Sequence, residues 1–247
     1  MKGPIVRQVD NVLIETGDPA GLFGFFTQTL QLPIAWPLSE NAGVTTGGVG
    51  LGDVTLEVFR TGAKKSPTRF AGLALEPYPI SEAVRELEAR GIPFSAPQKS
   101  AAWTTVTLTE LTKSDFSVFL REYSPDYLNP AIRRKQFKGR LALTNGGPLG
   151  VQSIQEVVIG SVAFEADREM WRKLLMPSSP AGTTVFQPTQ GPPVRIVKDA
   201  RDRIQCTVLK VRSLDQARLF LQQQKMLGSG MTILPSRVGG LTIRLTN

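Results

Sequence analysis

One class of chemistry is missing from this chain before any other is considered: among its 247 residues there is no histidine. That removes the commonest metal ligand and the side chain most often used to move protons near neutral pH. Neither a Ser-His-Asp nor a Cys-His nucleophile system can be assembled. A zinc site of ordinary type needs more than the single cysteine, Cys206, can supply. Amides, carboxylates, arginines and aromatic rings remain. Glu57 lies in the alternating run Asp53–Arg60, which puts Val54, Leu56 and Val58 on one face and Thr55, Glu57 and Phe59 on the other. Asn11 puts an amide into an aliphatic stretch, where it would hydrogen-bond a ligand carbonyl or serve as a satisfied strand amide. Cys206, between Gln205 and Thr207, reads as a small buried side chain, because nothing near it in sequence would lower its pKa. Trp171 falls on a helical stripe and belongs to the core. Trp36, beside Pro37, and Trp103, opening a strand, are as well placed to line a cleft for an apolar or planar ligand as to pack.

These residues need elements to hold them. Arg7–Thr16, with Val9, Val12, Leu13 and Ile14, predicts a strand. Asp18 caps and Pro19 opens a helix in which Leu22, Phe25, Phe26 and Leu30 recur at helical spacing, ended by Leu32-Pro33. Gly43, Gly47, Gly48, Gly50 and Gly52 are not a phosphate loop, since neither Lys-Ser/Thr nor a helix follows; they read as tight turns between strands. The same order returns with a strand at Arg69–Glu76 and a helix at Ile80–Arg90 closed by Gly91. Phe94, Trp103–Leu111 and Phe116–Tyr123 then read as strands. Ser124–Gly150 breaks the pattern, with a short helix over Pro130–Phe137. Beyond it the opening grammar recurs: aligning Val9 with Ile154 pairs Asn11 with Glu156 and Phe26 with Trp171. Aligning Ile80 with Leu214 pairs Gly72 with Cys206 and Leu87 with Leu221.

Hydrophobic content of 41% and charged content of 20% are those of an ordinary soluble protein. No apolar run approaches the ~20 residues of a membrane span, and the first residues lack a signal-peptide core. A cytoplasmic protein without membrane contact, monomeric or homodimeric, is expected. The net charge of +8 is concentrated in Arg133, Arg134, Lys135, Lys138 and Arg140, a window without acids. So short a patch reads as a solvated connector, which makes nucleic acid an unlikely partner.

Four strand-helix-strand-strand-strand modules, paired into two domains, resemble the vicinal oxygen chelate superfamily, the group of glyoxalase I, bleomycin-resistance proteins and extradiol dioxygenases. The stretches that carry the resemblance are VDNVLIETGDPAGLFGFF, where members commonly read Asp-His before an aliphatic run, and GVGLGDVTLEVF, where they close with Leu-Glu. LALEPYPISEAVRELEARGIPF is similar to the start of a second module. The resemblance implies an α+β fold of tandem glyoxalase-like domains with curved mixed or antiparallel sheets forming clefts. Their boundaries would be 1–125 and 151–247, the second shortened, with a basic linker at 126–150.

It also implies a divalent-metal position in each domain. The first ligand place falls on Asn11, the second on Glu57, the third on Gly72 and the fourth near Glu122, or Leu120 in the neighbouring register. In the second domain the places are Glu156, roughly Ile196, Cys206 and Arg244. Gly72 has no side chain to coordinate, an arginine repels cations, and an amide with two carboxylates is a poor cage for a transition metal. The expectation is therefore a glyoxalase-like protein with no metal and no cofactor. It would bind a small organic molecule in the first-domain cleft, to sequester it or to carry out weak acid/base chemistry of a lyase or isomerase kind through Glu57 and Glu122. The same pair would otherwise hold Mg²⁺ or Ca²⁺ through waters, or stand solvated. Glu156 and Arg244 would pair across the second cleft. A metal-dependent lyase or dioxygenase, and a non-enzymatic interaction module using the basic linker, are the alternatives.

Overall fold

The computed structural model describes residues 3–62, 66–175 and 182–247. The chain begins with β1 (Val6–Glu15), α1 (Pro19–Gly24) continued by a π-helical turn (Phe25–Thr29), β2 (Ile34–Asn41), β3 (Val44–Leu51) and β4 (Val54–Thr61). Next come β5 (Arg69–Pro77), α2 (Ile80–Ala89), β6 (Gln98–Lys99), β7 (Trp103–Thr107) and β8 (Ser117–Tyr123). α3 (Pro130–Leu143) precedes β9 (Val151–Ser161), α4 (Phe164–Leu175), β10 (Val185–Phe186) and β11 (Val194–Lys198). The chain closes with β12 (Arg203–Val211), α5 (Leu214–Gln223) and β13 (Ile243–Thr246).

The fold is α+β, with curved, unclosed mixed sheets. One has eight strands in the order β2-β3-β4-β1-β5-β8-β7-β6, the other five in the order β10-β11-β9-β12-β13. Hairpin neighbours such as β3 and β4 are antiparallel, whereas β1 with β4, β5 with β8, β9 with β11 and β12 with β13 are parallel. Among the described residues no helix is long and apolar enough to cross a membrane.

The sheets follow the chain order, but the compact units do not. One unit gathers residues 1–10, 72–133 and 156–205; the other gathers 11–71, 134–155 and 206–247. Each therefore draws on both halves of the sequence.

Local chemistry sets the elements. The Asp18 carboxylate accepts the Gly21 amide at 2.9 Å at the head of α1, as its sequence predicts. α3 is longer than the helix expected at Pro130–Phe137. Asn129 Oδ1 accepts the amides of Ala131 and Ile132 at 3.0 and 3.2 Å, Pro130 suits the first turn, and Asn145, Gly146 and Gly147, all at positive φ, stop the helix. The basic run is solvated only in part, at Lys135, Lys138 and Arg140. Arg133 and Arg134 are buried, as are Phe137 and Leu141. Lys138 pairs with Asp53 at 2.7 Å, and Arg140 donates to the Ile34 carbonyl at 3.0 Å.

The glycine cluster also departs from expectation. Gly43 and Gly52 do make turns, with φ of 77° and 75°, but Gly47, Gly48 and Gly50 lie inside β3. Each lets a bulky group lie on the sheet: a Cβ on Gly47 would stand 3.0 Å from the Phe23 ring, on Gly48 2.4 Å from the Trp36 indole, and on Gly50 3.1 Å from the Phe137 ring.

Candidate functional site

Phe23 of α1 lies over Gly47, so the alternate residues of β3 face away from that helix. Strand register extends this second face across the sheet. Trp36 pairs with Gly48, Gly48 with Glu57, and Glu57 with Leu13. Gly50 pairs with Thr55 and Thr55 with Asn11. Asn11, Thr46, Glu57 and Trp36 are thereby collected on the side away from α1, within one compact unit.

Their contacts are specific. Asn11 Nδ2 donates to Glu57 Oε2 at 3.1 Å, and Thr46 Oγ1 donates to Glu57 Oε1 at 3.3 Å. The carboxylate is thus oriented by two neutral donors from neighbouring strands. Asn11 is buried, and its Oδ1 has no hydrogen-bond partner among the described residues. Trp36 and Glu57 remain half-exposed. Of the residues singled out from the sequence, three therefore converge: Asn11, Glu57 and Trp36.

Glu122 stands elsewhere. Along β8 it alternates with Arg121 and Tyr123, and its Oε1 accepts the Ile80 amide at 3.0 Å at the start of α2. It acts there as a capping carboxylate supplied by a strand. Glu57 and Glu122 also fall in different compact units. Gly72 lies close against β8, where a Cβ would meet the Ser117 carbonyl oxygen at 2.7 Å. Glu156 receives Arg195 Nε and Nη2 at 2.9 and 2.8 Å, a partner that the sequence reading did not consider. Arg244 is exposed on β13, opposite Val208. Cys206 is buried on β12 and forms no disulfide, Ile196 is fully buried, and Trp171 is core.

Sequence reasoning missed a second constellation, in the other unit. Asp10, fully buried, accepts the Tyr123 hydroxyl at 2.9 Å and is ion-paired with Arg133. Burial, and then the Asp10 charge, push the Tyr123 phenol up to about 12, against the opposing pull of Arg133 and Arg121. Arg133 Nη1 donates to the Tyr123 oxygen at 3.4 Å, and its guanidinium lies 5.0 Å from the ring centre. The signal was present in the sequence: Arg133, Phe137 and Leu141 recur every fourth residue and mark one buried helix stripe.

The donors at the implied metal positions do not fit a metal. Asn11 directs its N–H toward Glu57, Gly72 offers nothing, Glu122 is committed to α2 and Glu156 to Arg195. Among the described residues, no group of three or more Cys, Asp or Glu is placed to hold an ion.

No protein-family model matches the chain, and no curated protein matches it. Solved structures do. The anaerobic complex of homoprotocatechuate 2,3-dioxygenase from Brevibacterium fuscum with 3,4-dihydroxyphenylacetate matches with a TM-score of 0.61 at 9% identity, over 99% of this chain and 81% of that one. A tyrosine-to-phenylalanine variant of the same enzyme gives 0.61 at 10% identity, over 99% and 72%. A room-temperature structure of an extradiol ring-cleaving dioxygenase from that organism gives 0.61 at 9%, over the same shares. The chain thus has the vicinal oxygen chelate fold of the extradiol dioxygenases. At such identities the likeness is one of fold.

Proposed function

We propose that this protein binds a small organic molecule, without a metal, on the side of β1–β4 that carries Asn11, Glu57 and Trp36. The observation that supports this reading is the oriented Glu57 carboxylate, held by Asn11 and Thr46 in the sheet row that ends on a half-exposed indole. An aromatic wall beside a fixed acceptor suits a planar ligand carrying a hydrogen-bond donor. Sequestration needs nothing more. Acid/base work would fall to Glu57 alone, because Glu122 caps α2.

A thermal-shift screen of small aromatic and dicarbonyl compounds in the presence of EDTA tests the reading. Stabilising compounds are expected, and their effect should vanish in Trp36→Leu and Glu57→Gln. A ligand present at a hundred times its Kd contributes about 2.7 kcal/mol, which for a chain of this size is a shift of about 5–10 °C. A flat screen overturns the proposal. So does stoichiometric Fe, Zn, Ni or Mn in the purified protein whose removal abolishes ligand shifts.

A further inference from the structure

A pocket of about 620 Å³ opens beside α1, wholly within the unit of residues 11–71, 134–155 and 206–247. Its volume is that of a small-molecule site. Thr16 at the end of β1, α1 with its π-helical turn, Thr68 and the short 3-10 turn Pro235–Arg237 wall it. The π-helical turn supplies Phe25, Gln28 and Thr29. There the Leu30 amide donates to the Phe25 carbonyl, five residues back, at 3.0 Å; such wide turns are frequent at functional sites. Glycines leave room for two polar atoms of this wall. A Cβ on Gly21 would stand 2.2 Å from Asp18 Oδ2, and one on Gly239 2.4 Å from Thr68 Oγ1. A side chain at either place would push those oxygens aside.

The protein does not use up the polar groups of this pocket. Thr16 and Thr68 join their hydroxyls at 2.8 Å, and Thr16 Oγ1 also accepts the Asp18 amide at 3.2 Å. Two hydroxyls carry two protons. One lies in the bond between them, and the other has no acceptor among the described residues. Asp18 Oδ1 is held by the Gly21 amide at 2.9 Å, while its Oδ2 has no partner among the described residues. The Arg237 guanidinium likewise has neither a hydrogen bond nor an ion pair there. One anion and one cation thus line the same pocket without neutralising each other. A simple anion would satisfy Arg237 but face Asp18, and a simple cation the reverse. A ligand carrying both charges meets both. The fork of donors on Arg237 suits a carboxylate, and the half-exposed Phe25 ring offers an apolar group a surface.

We infer that this pocket is a second binding site, for a zwitterion of amino-acid type. Its carboxylate meets Arg237 and the spare proton of the Thr16–Thr68 pair, its ammonium meets Asp18 Oδ2, and its apolar group lies against Phe25. The site is separate from the Glu57 face and does not depend on it.

Titration calorimetry on the full chain at neutral pH tests the inference with phenylalanine as probe. Phenylalaninamide, which lacks the carboxylate, and N-acetylphenylalanine, which lacks the ammonium, are its counterparts. Phenylalanine is expected to bind saturably and at least about tenfold more tightly than either. Arg237→Gln should bring phenylalanine down to the level of its amide. Asp18→Asn, which keeps a good cap for α1, should bring it down to the level of the acetylated form. Trp36→Leu should leave binding unchanged. Absence of saturable phenylalanine binding overturns the inference. So does equal affinity for either counterpart, or undiminished binding by Arg237→Gln or Asp18→Asn. The comparison of probes needs no variant, so it stands even where a variant fails to fold. Loss of binding in Trp36→Leu with Arg237→Gln unaffected would assign the probe to the Glu57 face and overturn the second site.

Discussion

Asp10 carries a carboxylate into a position with no exposed side-chain surface, so its charge must be met there. Arg133 and the Tyr123 hydroxyl meet it. Replacing Arg133 alone by Met strands that charge and is expected to cost about 3–5 kcal/mol in urea denaturation. Replacing Asp10 as well, by Leu, should recover most of the loss, since an apolar pair of similar size has no charge to desolvate. Equal losses in the single and the double variant would show that the cost of Arg133→Met does not come from the stranded Asp10 charge. Tyr123 adds a pH signature. Its phenol is raised from 10.0 to about 12, so the folded state holds a proton that the unfolded chain has released. The stabilisation is intact below pH 10 and is lost as pH rises from about 10 to about 12. In an ultraviolet titration of the folded protein one of the three tyrosines should ionise near 12, and Tyr123→Phe should remove that step.

At the scale of elements, β3 is built to be covered. Its strand glycines carry an aromatic ring on each face, Phe23 on one and Trp36 with Phe137 on the other. Gly48→Ala would bring a methyl group to 2.4 Å from the indole, so Trp36 must turn away. The expected result is a shifted Trp36 emission and a measurable drop in Tm. Phe137→Ala removes a buried ring and should cost about 3–5 kcal/mol in denaturant unfolding. An effect below about 1 kcal/mol would show that α3 is not anchored there. Much of this level could be read from the chain. The cap at Asp18, the stripe of α2, the alternation of β4 and the α+β class all follow from local residue pattern. The glycines of β3 were misread because a turn glycine and a strand glycine under a ring look alike until the covering residue is known, and Phe137 is 87 positions away in sequence from Gly50. Glu122 was misjudged for a related reason. Shifting a strand by one residue exchanges its faces, and nothing local says which of Arg121 or Glu122 looks toward α2. Asn11, Glu57 and Trp36 were singled out by residue type and place: an amide in an aliphatic stretch, a carboxylate in an alternating strand and an indole beside a proline. Strand register puts the three on one face.

For the whole molecule, two kinds of bonding divide the chain differently. Hydrogen-bonded strands keep residues 6–123 in one sheet and 151–246 in the other, which favours folding by sequence halves. Packing groups each quarter with a distant one. Within the first unit, Lys113 reaches Asp167 at 2.9 Å, Arg90 donates to the Lys173 carbonyl at 2.9 Å, and the Gln190 amide donates to the Arg7 carbonyl at 2.8 Å. Within the second, a Cβ on Gly239 would stand 2.4 Å from Thr68 Oγ1. Arg90 decides which division governs stability, because its side chain is almost fully buried and also donates to the Gly3 carbonyl. Cut from residues 151–247, it would keep Glu86 and Gly3 but lose the Lys173 carbonyl, and a buried donor without its acceptor costs about 1–3 kcal/mol. Lys113 and the Arg7 carbonyl would lose partners in the same cut, as would the apolar surface packed around them. The segment 1–125 expressed alone is therefore expected to lack a cooperative thermal transition, and residues 126–247 produced in the same cells should restore one. A sharp transition for 1–125 by itself, matched by circular dichroism and calorimetry, would show that the sheet outweighs the packing and that the first half is a domain in its own right.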